Sequence, residues 1–94
     1  GLPSALTLGN HPNPFNPTTT IAFTLPAAGP MRLEVYDLRG RLVRLLASEH
    51  REAGAHTVAW DGRNGAGADM ASGVYLYRLT AAGISGGAKM TLVR

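Results

Sequence analysis

Hydrophobic and polar residues alternate along most of the chain after residue 17. In the first such stretch Ile21, Phe23 and Leu25 share one face, and threonine and alanine occupy the other. A period of two is the spacing of a β-strand, because successive side chains of a strand point to opposite faces of the sheet. The alternation therefore predicts strands over Thr18–Leu25, Met31–Leu38, Ala55–Trp60, Val74–Thr80 and Ala88–Val93.

The segments between these strands have the composition of turns. Residues 1–17 hold four of the six prolines, which predicts an ordered segment that is extended or turning, with a short strand over Ala5–Leu8. Glycine and proline punctuate the remaining connections. They predict turns at Pro26–Pro30, Asp37–Gly40 and Ala82–Gly87, and a long loop over Asp61–Asp69.

The segment Arg41–Ala53 fits two structures. A helix would place Leu42 and Leu45 on one face, and Gly54 would then stand just after its C-terminal end. A strand over Arg41–Ala47 fits the same residues about as well. The periodicity leaves both alternatives open.

Six or seven short strands in 94 residues predict an all-β protein, because this spacing is typical of a sandwich or barrel. A parallel sheet would need crossover helices, of which the pattern offers at most one. The length fits a single domain over residues 1–94. The chain begins without Met and without the basic and apolar regions of a signal peptide, so we expect it to be part of a longer protein.

Composition excludes several classes of protein. Without cysteine there is no disulfide framework, thiolate zinc site or cysteine nucleophile. A hydrophobic content of 45% is too high for an extended disordered chain. The net charge is +3, but the nine Lys and Arg residues are spread among acidic residues, whereas a phosphate-binding surface clusters its cations. We therefore expect no nucleic-acid partner.

The sequence patterns of catalytic and cofactor sites are not met. Ser72 lacks the flanking glycines of a nucleophile elbow. His11, His50 and His56 lack the i, i+4 spacing of paired zinc ligands. We expect neither enzyme activity nor a cofactor.

Two groups of residues allow a binding hypothesis beside a structural one. Asp61, Asn64 and Asp69 are hard oxygen ligands that would suit Ca²⁺, but their spacing departs from the EF-hand pattern, so an Asn-stabilised turn is favoured. The large aromatic residues could form a platform for sugars, but in a small sandwich such rings usually fill the core. They are Tyr36, Trp60, Tyr75 and Tyr77.

Several segments together match a known pattern, namely Pro12–Ile21, Val35–Val43, Trp60–Gly62, Ala71–Leu79 and Lys89–Arg94. Within them the motif positions are Pro12, Asn13, Pro14, Phe15, Asn16, Pro17, Tyr36, Asp37, Gly40, Trp60, Asp61, Gly62, Gly73 and Tyr75. In this order they resemble the type A C-terminal sorting domains of the type IX (Por) secretion system, which are similar to the Ig-like domain of flagellar hook-capping proteins. One departure is that Ala88 precedes a single Lys89, where relatives often carry paired lysines.

The resemblance implies an Ig-like antiparallel sandwich of about seven strands, with Arg41–Ala47 as a strand. It also implies a non-catalytic domain that directs a larger secreted bacterial protein, such as a glycoside hydrolase or protease, to the cell surface. Its partners would be the secretion machinery or a cell-surface component, and a covalently linked N-terminal cargo domain. A carbohydrate-binding module and an inert Ig-like spacer are the alternatives.

The sorting signal implied by the resemblance consists of Lys89, Met90, Thr91, Leu92, Val93 and Arg94. The other motif positions are expected to be structural.

Overall fold

The computed structural model describes residues 7–81 and 83–94, where the regular secondary structure consists of strands alone. The strands are β1 (Thr7–His11), β2 (Thr19–Leu25), β3 (Gly29–Tyr36), β4 (Leu42–Arg51), β5 (Gly54–Trp60), β6 (Gly73–Ala81) and β7 (Ile84–Leu92). The prediction of an all-β sandwich with about seven strands is confirmed. Across these residues there is no helix long and apolar enough to cross a membrane.

The strands form two sheets in which neighbouring strands are antiparallel. One sheet has the order β1-β2-β5 and the other has the order β4-β3-β6-β7. The chain crosses from one sheet to the other after β2, after β4 and after β5. As a result β7, the last strand, lies at the edge of the larger sheet.

One face of each sheet is buried against the other sheet. In β6 the side chains of Tyr75, Tyr77 and Leu79 are buried, whereas Arg78 and Thr80 between and beside them are exposed. The same alternation is present in β2 and in the second half of β7. Burial of each large apolar side chain contributes about 1.5–3 kcal/mol, so the alternating pattern drives the two sheets together.

The segment that fitted either a helix or a strand is the strand β4. Its pairing with β3 shifts register twice, between Leu33 and Glu34 and between Val35 and Tyr36. These irregularities break the period of two on β4, where Val43 and Ala47 are buried but Leu45 between them is exposed. The helix alternative is based on Leu42 and Leu45, which are both exposed on this strand, because the shifts in register leave no regular alternation for the sequence to show.

The turn predicted over Ala82–Gly87 is wrong in extent, because β7 already begins at Ile84, which pairs with Ala81. Gly83 has a φ of 77°, a left-handed value that suits glycine in a tight hairpin connection. Gly87 belongs to the strand itself. A Cβ atom on Gly87 would lie 2.5 Å from the carbonyl oxygen of Tyr77, so its glycine allows close pairing of the two backbones.

The short strand predicted over Ala5–Leu8 is described only in part. Thr7 and Leu8 lie in β1, and residues 5 and 6 fall outside the described part of the chain. β1 extends further than predicted, to His11, because it pairs with β2 from Thr7 opposite Thr24 to His11 opposite Thr20.

Candidate functional site

The N-terminal segment Pro12–Pro17 lies against the outer edge of β7. Phe15 donates its backbone N–H to the carbonyl of Thr91 at 3.0 Å, and its own carbonyl accepts from the N–H of Val93 at 2.8 Å. The side-chain oxygen of Asn13 accepts a further bond from the N–H of Thr91 at 2.9 Å. The proline-rich segment therefore pairs with the C-terminal end of the last strand, 70 or more residues away in sequence.

The side chain of Phe15 anchors this segment in the core. Its ring centroid lies 5.7 Å from that of Trp60, and Trp60 lies 5.4 Å from Tyr75 in an edge-to-face arrangement. All three rings are buried. Tyr77 is buried as well, and its hydroxyl donates to the side-chain oxygen of Asn10 in β1 at 3.2 Å.

The aromatic platform for sugars is therefore wrong for Trp60, Tyr75 and Tyr77, because these rings fill the space between the sheets. Burial raises the pKa of the Tyr75 and Tyr77 hydroxyls above the ordinary tyrosine value. Tyr36 is half-buried on the outer face of the larger sheet, where it donates to the carboxylate of Glu34 at 2.7 Å. That hydrogen bond is the main cause that raises the pKa of Tyr36.

Asp37 stabilises the turn between β3 and β4. Its carboxylate accepts the backbone N–H of Arg39 at 2.9 Å, and both the N–H and the side chain of Arg41 at 3.0 and 2.9 Å. The hydrogen bond from the Arg41 backbone is the largest of the causes that lower the pKa of Asp37. Gly40 has a φ of 82°, which favours glycine at this tight connection. Asp37 and Gly40 thus both stabilise the turn between β3 and β4.

The loop Asp61–Asp69 is stabilised by its own side chains. The side-chain oxygen of Asn64 accepts the backbone N–H groups of Ala66 and Ala68 at 3.0 and 2.9 Å. Asp61 accepts the N–H of Arg63 at 3.1 Å, and the guanidinium of Arg63 pairs with Asp69 at 3.1 Å. These contacts are those of the Asn-stabilised turn favoured for this loop. In the described parts of the chain, no cluster of acidic and histidine residues could hold a metal ion.

Arg94 joins this loop to the C-terminus. Its guanidinium donates to the carbonyls of Gly62 and Met70, and lies 3.5 Å from the carboxylate of Asp69. Its backbone N–H donates to the hydroxyl of Ser72 at 2.9 Å. The last residue is thus attached to the loop and to the start of β6, with Arg94 providing donors and the loop providing acceptors.

Gly62 has to be glycine for this contact. Its φ is 76°, and a Cβ atom would lie 2.9 Å from Arg94 Nη2 and 2.9 Å from the Pro17 carbonyl oxygen. The motif residues near Pro17, Gly62 and Arg94 therefore meet at one end of the sandwich, although they are separated in sequence. Met70 carried no signal in the sequence because it takes part only through its backbone carbonyl, whereas Ser72 lies within the matched segment Ala71–Leu79.

The residues of the implied sorting signal alternate between the core and the surface. Met90 and Leu92 are each 1% exposed and belong to the core. Lys89 and Val93 are exposed, and Thr91 is half-buried. A partner that binds the folded domain can reach Lys89, Val93 and the exposed part of Arg94, but not the two core residues.

A family model described as the FlgD Ig-like domain matches residues 9–85. No curated protein matches the chain by sequence. Among solved structures, dimeric latent PorU from Porphyromonas gingivalis is 23% identical with a TM-score of 0.75, over 97% of this chain and 9% of that chain.

Two further structures share the fold. PorZ of Porphyromonas gingivalis, described as an essential bacterial surface component of the type-IX secretion system, is 22% identical with a TM-score of 0.60, over 93% of this chain and 11% of that chain. FLGD from P. aeruginosa is 21% identical with a TM-score of 0.60, over 97% of this chain and 68% of that chain. This chain thus corresponds in fold to a small domain within the much longer PorU and PorZ.

Proposed function

The chain belongs to the FlgD Ig-like domain family, and we propose that it is the non-catalytic C-terminal sorting domain of a larger secreted bacterial protein. In this proposal the type IX secretion system carries that protein through the outer membrane, and the domain attaches it to the cell surface. A cargo domain N-terminal to this sequence, a hydrolase such as a glycoside hydrolase or protease, performs the chemistry.

The observation that carries the proposal is the fold shared with PorU and with PorZ, of which PorZ is described as a surface component of that system. Nearly the whole chain superimposes on about a tenth of PorU and of PorZ, which is the relationship expected of a module appended to a larger protein. The motifs of the sorting-domain family support the same assignment, because they occur in order along this chain.

In this proposal the recognised part is the C-terminal segment Lys89–Arg94 in its folded form. Lys89 and Val93 extend from the edge strand of the larger sheet, and the loop holds Arg94 in place. A partner meets a preorganised surface and therefore loses less conformational entropy on binding than it would with a flexible tail. The partner is a component of the secretion machinery or of the outer surface.

The test fuses residues 1–94 to a reporter with an inner-membrane export signal, in a bacterium that has a type IX system. Deletion of residues 89–94 should abolish surface display, but this deletion also removes Met90 and Leu92 from the core. A second variant therefore combines Lys89→Ala with Val93→Ala, which changes only exposed side chains. Thr20→Ala with Thr57→Ala, on exposed positions of the smaller sheet, is the matched control.

We expect the double change at Lys89 and Val93 to reduce surface display while the control keeps it. Equal display of both variants would show that the exposed end of β7 is not the signal. Equal display with and without the entire domain would favour the inert spacer.

A further inference from the structure

In the described part of the chain, β7 pairs with β6 on one side only, and part of its outer edge has no paired strand. Thr91 and Val93 direct their backbone groups outwards, where the N-terminal segment binds them. Alternate residues of a strand direct these groups to the same side, so Ser85, Gly87 and Lys89 also direct theirs outwards. Within residues 7–81 and 83–94, none of these three backbones has a partner at that edge. Unpaired edge groups of this kind are a template for an additional strand.

A groove runs beside this open edge on the outer face of the sheet. Its volume is about 650 Å³, and its lining includes Tyr36, Leu76, Arg78 and the strand from Ser85 to Lys89. Gly86 and Gly87 have no side chains, so nothing extends above the backbone of the strand at these two positions. An added strand would place alternate side chains over this groove, where Leu76 and Tyr36 offer apolar surface.

The charges around the groove favour one kind of strand. Arg78 and Lys89 are exposed, and in the described chain neither has a carboxylate within 4.0 Å. The carboxylate that Arg78 faces across the sheet is that of Glu34, which Arg32 already pairs at 3.1 Å and Tyr36 binds at 2.7 Å. The two free cations therefore complement acidic side chains on a partner.

We propose that the edge of β7 from Ser85 to Lys89 accepts an extended acidic segment of a partner protein as a fifth strand of the sheet. The backbone of the segment pairs with Ser85, Gly87 and Lys89. Among the side chains that the segment places on the outer face of the sheet, long apolar ones reach across Gly87 toward Leu76, and carboxylates pair with Arg78 and Lys89. This deepens the proposed function by naming the chemistry of the partner, and it rests on that function only for the partner's place in secretion.

A second copy of this chain is a poorer occupant of the same edge. Two antiparallel copies of β7 centred on Gly87 would bring Lys89 and Arg78 of both molecules onto one continuous sheet face. Four like charges close together oppose such pairing, and an exposed lysine on an edge strand is a usual device against it. An acidic segment turns the same charges into favourable contacts.

The probe for this site is a blocked eight-residue peptide in which the four positions of one face alternate between leucine and glutamate and the other four positions are threonine, added to ¹⁵N-labelled protein at up to millimolar concentration. We expect saturable shift changes along β7 and slower hydrogen exchange at the amides of Ser85, Gly87 and Lys89. The amides of Gly86 and Ala88 face β6 and should gain little protection. The same peptide with lysine in place of glutamate should not bind.

Two pairs of variants separate the backbone contribution from the charge. Ser85→Pro removes an outward N–H without affecting the pairing with β6, and should weaken peptide binding by at least about fivefold, while Ser85→Ala should not. Lys89→Gln should weaken it by about two- to fivefold because it removes an exposed ion pair. Arg51→Gln, which removes one positive charge at the opposite edge of the sheet, is its control.

The results of these experiments distinguish an acidic partner strand from the other possible occupants of this edge. Absence of alternating protection at millimolar peptide, or equal binding of the lysine peptide, would overturn the proposal. Protection of the edge that rises with protein concentration alone would show that a second copy occupies it, and would also overturn it. Normal surface display of a Ser85→Pro fusion that has lost peptide binding would separate this edge from export and leave the sorting function standing.

Discussion

Arg94 and Gly62 are in direct contact at one end of the sandwich, where the Nη2 atom of Arg94 donates to the Gly62 carbonyl at 2.6 Å. The contact joins the last residue of the chain to the loop that follows β5. Gly62 is buried and has a left-handed φ of 76°. The backbone conformation of the loop is therefore tightly restricted at this position. The C-terminal segment is thus part of the folded domain up to its final residue.

Gly62→Ala should be clearly destabilising. The new Cβ would lie 2.9 Å from both Arg94 Nη2 and the Pro17 carbonyl, in addition to the cost of a left-handed φ. We expect a loss of about 2–4 kcal/mol in the free energy of unfolding, measured with urea. Gly67→Ala is the matched control, because Gly67 has a φ of 84° but nothing within 4 Å of the new Cβ, and it should lose only about 1–2 kcal/mol. Equal losses would show that the close approach does not matter.

Arg94→Lys should destabilise the end of β7 although it keeps the charge. The guanidinium donates to two carbonyls at once, and an ammonium group cannot reproduce that planar geometry. We expect a loss of about 1 kcal/mol in the free energy of unfolding, and faster amide exchange at Val93. Arg39→Lys, on an exposed turn side chain, should change stability by less than about 0.5 kcal/mol. An Arg94→Lys variant with an unchanged free energy of unfolding would contradict the anchoring role of Arg94.

Asn13 and Asn16 should differ although they occupy equivalent places beside proline. Both side chains are exposed, but that of Asn13 accepts the N–H of Thr91 at 2.9 Å, a contact that Asn16 does not make. Asn13→Ala should cost about 1 kcal/mol in chemical unfolding because it leaves that N–H without a protein acceptor, and Asn16→Ala should be nearly neutral. A larger loss of stability for Asn16→Ala than for Asn13→Ala would mean that the motif acts through Asn16 instead.

Asp37 should contribute to a loss of stability in acid. Its pKa is lowered in the folded chain, mainly by the hydrogen bond from the Arg41 backbone, so the folded state favours the ionised form. That stability is present above the unfolded pKa of about 4 and is lost as the pH falls through the lower folded pKa. Urea unfolding between about pH 6 and pH 2 should therefore show a smaller decrease for Asp37→Asn than for the unchanged protein. Identical pH profiles would contradict this.

Trp60 should report a buried ring in solution. It is 1% exposed and packs against Phe15 and Tyr75. Its fluorescence should resist quenching by acrylamide and should not change when soluble polysaccharides are added, but should shift to the red in urea. A saturable polysaccharide-induced shift in the folded protein would restore the carbohydrate-binding hypothesis.

Much of the sandwich could be predicted because alternation is a local property. In β2 and β6 the buried residues follow the pattern of the sequence, since each side chain needs only to face the core or the solvent. Prediction failed where the backbone determined the outcome. Gly86 and Gly87 resemble a turn in sequence, yet they pair with β6, because glycine there permits the close approach to Tyr77.

The sequence by itself determined the class of fold, the positions of most strands and the residues of the core, because these follow from which side chains avoid water. Only the tertiary structure decided that Phe15 pairs with Thr91, that Arg94 binds Gly62, and that no strand among the described residues pairs with the outer edge of β7 from Ser85 to Lys89. These contacts join residues far apart in the chain through backbone atoms. Every residue except proline has the same backbone N–H and C=O groups, so the order of side chains does not indicate which of these groups will meet.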